Sequence, residues 1–180
     1  LGRLETLAIQ LSAITGQRTP LVSPPGVAVF AADHGVADEG VSAFPQEVTA
    51  QMVANFAQGG AAINVFARQI GAQVDVVDVG VASPLALPSV VDAKVRAGTA
   101  NMVREDAMSQ GEAQRAIGVG ADTVERLAGQ GAKSIIVGEM GIANTTASSA
   151  MLAALTQAPV ATVVGAGTGI SSAQQAHKVS

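Results

Sequence analysis

Short apolar runs alternate with segments of helical periodicity along this chain, and this alternation constrains the fold more than any other feature. The four runs fall at residues 26–32, 73–81, 134–137 and 160–164. Each is short and mostly apolar, which favours strands buried on both faces of a sheet. Because helical segments separate the runs, we expect the strands to be parallel. The sequence therefore predicts an α/β fold, Rossmann-like, with three layers: a mainly parallel sheet covered by helices on both faces.

The intervening segments predict helices from the spacing of their apolar residues and from their end signals. The predicted helices are residues 1–15, a segment that begins at Pro45, residues 63–70, a segment capped by Ser109 and Glu112, and residues 144–155. Residues 94–102 are predicted as an edge strand that runs into a turn.

A chain of 180 residues suits one domain with one core. We therefore predict a single α/β nucleotide-binding core over residues 1–180, with residues 1–20 a candidate for a small helical subdomain. The chain begins at Leu1 and not at Met, so it is expected to be part of a longer chain.

Composition excludes several classes of function. The net charge is −4 and the ten Lys and Arg are scattered, which argues against nucleic acid as a partner. No Cys is present, so thiol nucleophiles and Cys-ligated zinc are excluded, and two His argue against a multi-histidine metal site. The uncharged stretch from Met140 to Gln175 is interrupted by polar residues, so it does not predict a membrane span. No signal peptide is recognisable, and a cytoplasmic location is expected.

Glycine-rich or polar residues follow each predicted strand. In open α/β sheets, ligands bind beyond the carboxyl ends of the strands, so these loops are expected to share one rim. They are Ala32-Asp33-His34-Gly35, Asp78-Val79-Gly80, Gly138-Glu139-Met140-Gly141 and Gly165-Ala166-Gly167-Thr168-Gly169.

The last two loops have the chemistry of an anion site. A strand that turns through glycine into a helix presents backbone N–H groups to a phosphate, and Gly141 and Gly167 would admit it closely. Asn144, Thr145 or Thr146 can either cap the following helix or donate to the anion. Neither a G-x-G-x-x-G motif opening a helix nor a G-K-[ST] motif is present.

Three charged or titratable groups leave alternatives open. Glu139 would repel phosphate, so it suits a sugar hydroxyl, a cation or developing positive charge, unless it holds backbone N–H groups of its own loop. Asp33 and His34 could form an acid–base pair, or one of them could order the loop. Lys178 is either an ordinary solvated lysine or part of the site.

Several motifs occur in order and together are more specific than any one alone. They are ADHGV, DEGVS, EVTAQM, GGAAINVFARQIGA, VDVGV, RAGTANM, GEMGIANTT and GAGTG. This set closely resembles the nicotinate-nucleotide–dimethylbenzimidazole phosphoribosyltransferase family, which makes the lower-ligand nucleotide of cobalamin. The resemblance implies attack of a benzimidazole nitrogen on the anomeric carbon of nicotinate mononucleotide, release of nicotinate and formation of α-ribazole 5′-phosphate. It also implies that no metal or cofactor is required and that the protein is a homodimer, whereas the interrupted uncharged stretch predicts no membrane partner.

The resemblance implies roles for residues at matching positions. The nucleotide's ribose and phosphate would be held by residues of two loops and one lysine: Gly138, Glu139, Met140, Gly141, Asn144, Gly167 and Lys178. Phe44 and Met52 match positions that line the benzimidazole pocket, where aromatic and thioether walls suit a flat apolar base. The family's catalytic base is a glutamate in the C-terminal part of a longer chain, and this sequence stops before it. Glu139 is the remaining candidate for a catalytic carboxylate.

Two other functions stay open from the sequence. A nucleotide-binding module without catalysis, or a degenerate paralogue, would share the loops and show no turnover. An unrelated α/β phosphate-ester hydrolase would use Asp33 and His34.

Overall fold

The computed structural model describes residues 2–180, so Leu1 of the predicted first helix lies outside the described residues. The strands are β1 (Pro25–Ala32), β2 (Gln73–Gly80), β3 (Val90–Asp92) and β4 (Ser134–Met140). The helices are α1 (Arg3–Thr15), a 3-10 helix (Gly35–Glu39), α2 (Glu47–Ala57), α3 (Ala62–Gln69), α4 (Gln110–Gly129), α5 (Asn144–Thr156), α6 (Val160–Val163) and α7 (Ser172–Val179).

The strands form one parallel sheet in the order β3-β2-β1-β4. At the centre, Val29 of β1 pairs with Val76 of β2 on one side and with Gly138 of β4 on the other. All three strand pairings are parallel, which confirms the predicted parallel sheet. The carboxyl ends of β1, β2 and β4 consequently lie at the same edge.

Helices cover both faces of the sheet. On one face, Val53 and Phe56 of α2 belong to the same buried cluster as Val29. On the other face, α4 packs so closely on β1 that a Cβ placed on Gly26 would lie 3.2 Å from Leu127 Cδ2. The predicted three-layer α/β fold is confirmed.

Two predicted strands are wrong. Residues 160–163 form the single turn of α6, which begins after Pro159, where the ring fixes φ at −57° and the missing N–H is not needed. The carbonyl of Val163 accepts a hydrogen bond from Ser149 Oγ at 3.0 Å, so this segment packs on α5 and pairs with no described strand. The edge strand lies at Val90–Asp92 and not at 94–102.

A third difference concerns the end of β4. The predicted strand ended at residue 137, but pairing with β1 continues as far as Ala31 and Met140. Gly138 and Glu139 are therefore strand residues, because the ladder with β1 holds their backbone extended. Only Gly141 and the residues after it form the loop.

The other elements contribute less to the core. No residue of α1 is buried. Among residues 2–180, no helix is long and apolar enough to cross a membrane.

Candidate functional site

The loop between β4 and α5 is shaped by Gly141 and Ala143. A Cβ on Gly141 would collide with the carbonyl oxygen of Ala32 and lie 3.0 Å from His34 Nε2, so only glycine fits beside the end of β1. Ala143 adopts the left-handed conformation (φ 71°) and occupies the N-cap position of α5. The chain therefore turns sharply and starts α5 directly beyond the sheet edge.

Glu139 and Asn144 are brought together by this turn. Asn144 is the first helical residue, and its Nδ2 donates a hydrogen bond to Glu139 Oε2. No side chain caps α5, so the capping role considered for Asn144 is wrong. The partner of Glu139 is a side chain and not a backbone N–H of its own loop. Partial burial raises the pKa of the Glu139 carboxyl above its ordinary value.

Lys178 is a buried cation on α7. Its residue is only 8% exposed, and Nζ donates to Thr145 Oγ1 at 2.7 Å and approaches the Gly165 carbonyl oxygen at 3.5 Å. Among the described residues, no carboxylate lies within ion-pair distance of it. Burial lowers the pKa of the Lys178 amine, since the charged form loses hydration. The interpretation of Lys178 as an ordinary solvated lysine is wrong.

Gly167 lies beside the same amine. Its φ is 55°, and a Cβ there would lie 2.8 Å from Thr145 Oγ1 and 3.3 Å from Lys178 Nζ. The loop 165–169 consequently approaches the first turn of α5, although the segment before it is a helix and not the predicted strand. Gly167 and Lys178 therefore lie next to each other, and their role in nucleotide binding stays a prediction.

Two cavities meet at Glu139, Asn144 and Ser148. One, of about 350 Å³, extends between the sheet and α4 and is largely apolar; its other lining residues are Phe30, Ala32, His34, Val79, Ala116, Gly120 and Met140. The second, of about 360 Å³, extends along α5 towards the loop 165–169; its other lining residues are Thr145, Ser149, Leu152, Val163, Gly165 and Gly167. Glu139 therefore stands between an apolar space and a more polar one.

Asp33 and His34 are held at the end of β1. Asp33 is 2% exposed, and its Oδ2 accepts a hydrogen bond from the N–H of Ala82 at 2.8 Å, so this carboxylate orders the loop after β2. Burial lowers the pKa of the His34 imidazole and outweighs the raising effect of the Asp33 charge. No group of three or more His, Asp or Glu in residues 2–180 could hold a metal ion.

The whole sequence matches a known family. A family profile described as phosphoribosyltransferase covers residues 1–180. The chain belongs to this phosphoribosyltransferase family. The nicotinate-nucleotide–dimethylbenzimidazole phosphoribosyltransferases of Chloroflexus aggregans and Pseudomonas fluorescens are 55% and 52% identical to it over 180 residues. In each comparison 99% of this chain and 51% of the relative are covered. The resemblance seen in the motifs is confirmed.

A solved structure shows the same architecture. The crystal structure of CobT from Thermus thermophilus superposes with a TM-score of 0.96 at 47% identity, covering 99% of this chain and 54% of that one. The chain thus spans about half the length of the relatives that it matches.

The two residues predicted to line the base pocket, Phe44 and Met52, line neither of the two cavities. Phe44 is 52% exposed, and Met52 packs against the core cluster on the α2 face. Met140 packs against the same cluster, and Thr49 Oγ1 accepts a hydrogen bond from the N–H of Ile142 at 3.1 Å. This bond ties α2 to the loop after β4. The role of Phe44 and Met52 stays a prediction.

Sequence reasoning missed other residues around the site. Ser148 follows Asn144 by one helical turn, and that i, i+4 spacing could have placed it on the same face of α5. His34 was expected on the rim of the sheet, but its place in the wall of the apolar cavity depends on β1 ending next to β4, an order that no local signal in the sequence gives. Thr49 lies inside a predicted helix, where a partner 93 residues away leaves no mark in the sequence.

Proposed function

We propose that the protein transfers the phosphoribosyl group of nicotinate mononucleotide to 5,6-dimethylbenzimidazole. The products are nicotinate and α-ribazole 5′-phosphate, which serves in assembly of the cobalamin nucleotide loop. The observation that carries the proposal is the buried Lys178, without a carboxylate partner, which contacts Thr145 and Gly165 in the wall of the cavity that begins at Glu139. Family membership and the names of the relatives support it.

The phosphate is proposed to bind between Lys178, Gly167 and the first turn of α5. A buried ammonium without a counter-charge is costly, and a phosphate dianion would provide that charge. The positive end of the α5 dipole adds favourable partial charge there, while the N–H groups of Asn144 and Thr146 donate to the carbonyl oxygens of Gly141 and Ala143. Gly167 leaves room for the anion, since a side chain there would fill the space beside Lys178 Nζ.

The ribose is proposed to lie at the junction of the two cavities. Glu139 would accept a hydrogen bond from a ribose hydroxyl, and Asn144 would hold the carboxylate in place. As the bond between C1′ and nicotinate lengthens, positive charge develops on the sugar, and a fixed carboxylate nearby stabilises it. Gly138, Met140 and Gly141 complete this side of the site as proposed neighbours of the sugar.

The reaction balances without a cofactor. A benzimidazole nitrogen forms a bond to C1′, and the electron pair of the broken bond returns to the pyridine nitrogen of nicotinate. The attacking nitrogen is the ring nitrogen that carries no proton, and the proton on the other ring nitrogen passes to a base. The resemblance implies a different glutamate for that step, so we assign Glu139 to the sugar. Phe44 and Met52 are proposed as walls for the base, and a cytoplasmic homodimer is proposed from the family resemblance.

Calorimetric titration with nicotinate mononucleotide tests the binding step. We expect saturable binding by the 180-residue chain and a loss of about 10- to 100-fold in Lys178→Met, the usual effect of losing a charge-assisted hydrogen bond. Lys133→Met is the matched control, because Lys133 is exposed and lines neither cavity. Equal affinity in both variants would contradict the phosphate assignment. Protein concentration requires amino-acid analysis, since Trp and Tyr are absent.

Turnover separates the enzyme from a binding module. The full-length gene product, mixed with nicotinate mononucleotide and 5,6-dimethylbenzimidazole, is expected to release nicotinate and α-ribazole 5′-phosphate in equal amounts. Tight binding without either product would identify a nucleotide-binding module. Gly141→Val is a poor probe, because its side chain would collide with Ala32 and His34 whatever the ligand does.

A further inference from the structure

Two segments far apart in sequence are joined by hydrogen bonds near the proposed phosphate site. Thr168 Oγ1 accepts a hydrogen bond from the N–H of Ala43 at 3.1 Å and lies 3.4 Å from Ser42 Oγ. Ser42 Oγ in turn accepts from the N–H of Phe44 at 3.3 Å. We call Thr168, Ser42, Ala43 and the bonds between them the Thr168 bridge. It connects the loop of Gly167 to the segment that presents Phe44.

A second contact runs in parallel with the bridge. The His177 ring nitrogen Nε2 hydrogen-bonds the carbonyl oxygen of Glu39 at 2.7 Å. His177 directly precedes Lys178 on α7, and Thr168 directly follows Gly167. Each of the two residues proposed to bind phosphate therefore has a chain neighbour that is hydrogen-bonded to the segment 39–44. The proposed phosphate ligands and the proposed base wall are therefore mechanically connected.

The hydrogen bonds of the Thr168 bridge are weak enough for a bound ligand to change how often they form. Thr168, Ala43 and Phe44 are exposed, so water competes for these hydrogen bonds and their net stabilisation is small. Gly167 and Gly169 flank Thr168 with φ of 55° and 87°, conformations that glycine adopts without strain. We expect a loop held so weakly to open locally, and a ligand that binds only the conformation seen here, the closed form, would shift the balance towards it.

We propose that Thr168 is a positioning residue that couples the two substrates, an inference that rests on the proposed function. Phosphate bound at Lys178 and Gly167 fixes the loop 165–169 in its closed form. Thr168 then holds Ser42 and Ala43, and Phe44 is fixed as a wall before the base arrives. Nicotinate mononucleotide would accordingly prepare the base pocket in addition to filling its own site.

Amide hydrogen exchange measured by NMR tests this on the 180-residue chain. Nicotinate mononucleotide is expected to slow exchange of the Ala43 N–H by at least about fivefold, the lower end of ordinary coupling between sites. In Thr168→Val, which keeps the side-chain shape and removes the acceptor, this slowing is expected to disappear. Thr168→Ser keeps the hydroxyl and is expected to restore it.

Amides 142–147 report independently on binding at the β4–α5 loop. If the ligand slows those amides in the parent and in all variants, while Ala43 responds only where a hydroxyl is present, the coupling is established. If amides 142–147 respond and Ala43 exchanges equally with and without ligand in the parent, the coupling is overturned and the proposed function stands. If neither region responds in a folded parent chain, both proposals fail together.

Discussion

Strands β1 and β4 are neighbours with similar apolar sequences and opposite environments. In β1, six of eight residues are buried, and β2 and β4 pair with it on its two sides. In β4, no residue is buried, and Val137 and Ile136 are 71% and 39% exposed. In the part of the chain that the structure describes, β4 is an edge of the sheet.

The difference separates scaffold from site. β1 supplies the packed centre that fixes where the other strands end, and its side chains touch the core on both faces. Backbone pairing with β1 fixes the position of β4, and the side chains of β4 stay accessible. Glu139 is therefore held in a defined position and can still contact a ligand. Substitutions that are matched between the two strands test this division.

The largest effect on stability is expected from trimming a valine in the centre. Val29 is 3% exposed and Val137 is 71% exposed. Val29→Ala should lower the free energy of unfolding by about 2–3 kcal/mol, because it leaves a cavity in the core. Val137→Ala should change it by less than about 0.5 kcal/mol. Urea unfolding followed by circular dichroism measures both, and equal losses would refute the contrast.

For ligand binding, in contrast to stability, the larger effect is expected from a substitution in β4. Glu139→Gln removes the charge that is proposed to accept a hydrogen bond from the ribose hydroxyl, and it should weaken nicotinate mononucleotide binding by about 2 kcal/mol, or roughly 30-fold. Thermal stability should hold, because glutamine still offers an oxygen to Asn144. Glu125→Gln on the exposed side of α4 is the charge-matched control and should bind like the parent. Calorimetric titration measures the affinity of both variants. Weaker binding by both would show a general electrostatic effect that is not specific to Glu139.

The glycines of the two strands should respond differently to an added methyl group. A Cβ on Gly26 would lie 3.1 Å from Ala132 Cβ and 3.2 Å from Leu127 Cδ2, so Gly26→Ala should cost about 1–2 kcal/mol through overpacking. A Cβ on Gly138 would meet Val29 Cγ2 at 3.8 Å, an ordinary contact. Gly138→Ala should therefore stay within about 0.5 kcal/mol of the parent. Melting temperatures of the two variants compare them directly.

The smallest effect concerns pH. Because partial burial raises the pKa of Glu139, its carboxylate is protonated at a higher pH than an ordinary glutamate. Affinity for nicotinate mononucleotide should fall as pH decreases through that raised pKa. Stability should change in the other direction: the folded state holds this proton more tightly, so the contribution of Glu139 to stability falls as pH rises from the unfolded value through the folded pKa.

Comparison of the parent with Glu139→Gln isolates the effect of the Glu139 charge on the pH dependence of affinity. The ligand's phosphate also titrates near pH 6, and that change is common to the parent and the variant. The difference between their affinity profiles should disappear at low pH, where Glu139 is neutral in both the bound and the free state. A constant difference across the whole range would show that the charge of Glu139 plays no part.

The sequence predicted the elements better than their arrangement. Periodicity and capping signals gave α4 from Ser109 and the strands around Val29 and Val76, because these depend on neighbours in the chain. The strand prediction failed at residues 160–164, where an apolar, β-branched run forms α6. A β-branched run forms a strand only where a neighbouring strand is available to pair with it, and this segment lies beside α5 instead.

The candidate site shows the same limit. The glycines and Glu139 were recognised from local spacing, but the donation from Asn144 to Glu139 depends on the left-handed Ala143, which local spacing did not reveal. The burial of Lys178 was also hidden, since a lysine near a short amphipathic helix usually faces water. Its partner Thr145 lies 33 residues earlier.

By itself, the sequence determined the α/β class, the family and the loops where chemistry collects, because these follow from local apolar patterns and from motifs that are continuous in the chain. Only the tertiary structure decided which apolar strand is central and which lies at the edge. It also decided that Lys178 meets Thr145 and Gly167, and that Thr168 reaches Ala43. Strand order and long-range hydrogen bonds depend on how the layers pack, and packing is a property of the whole chain that no single segment encodes.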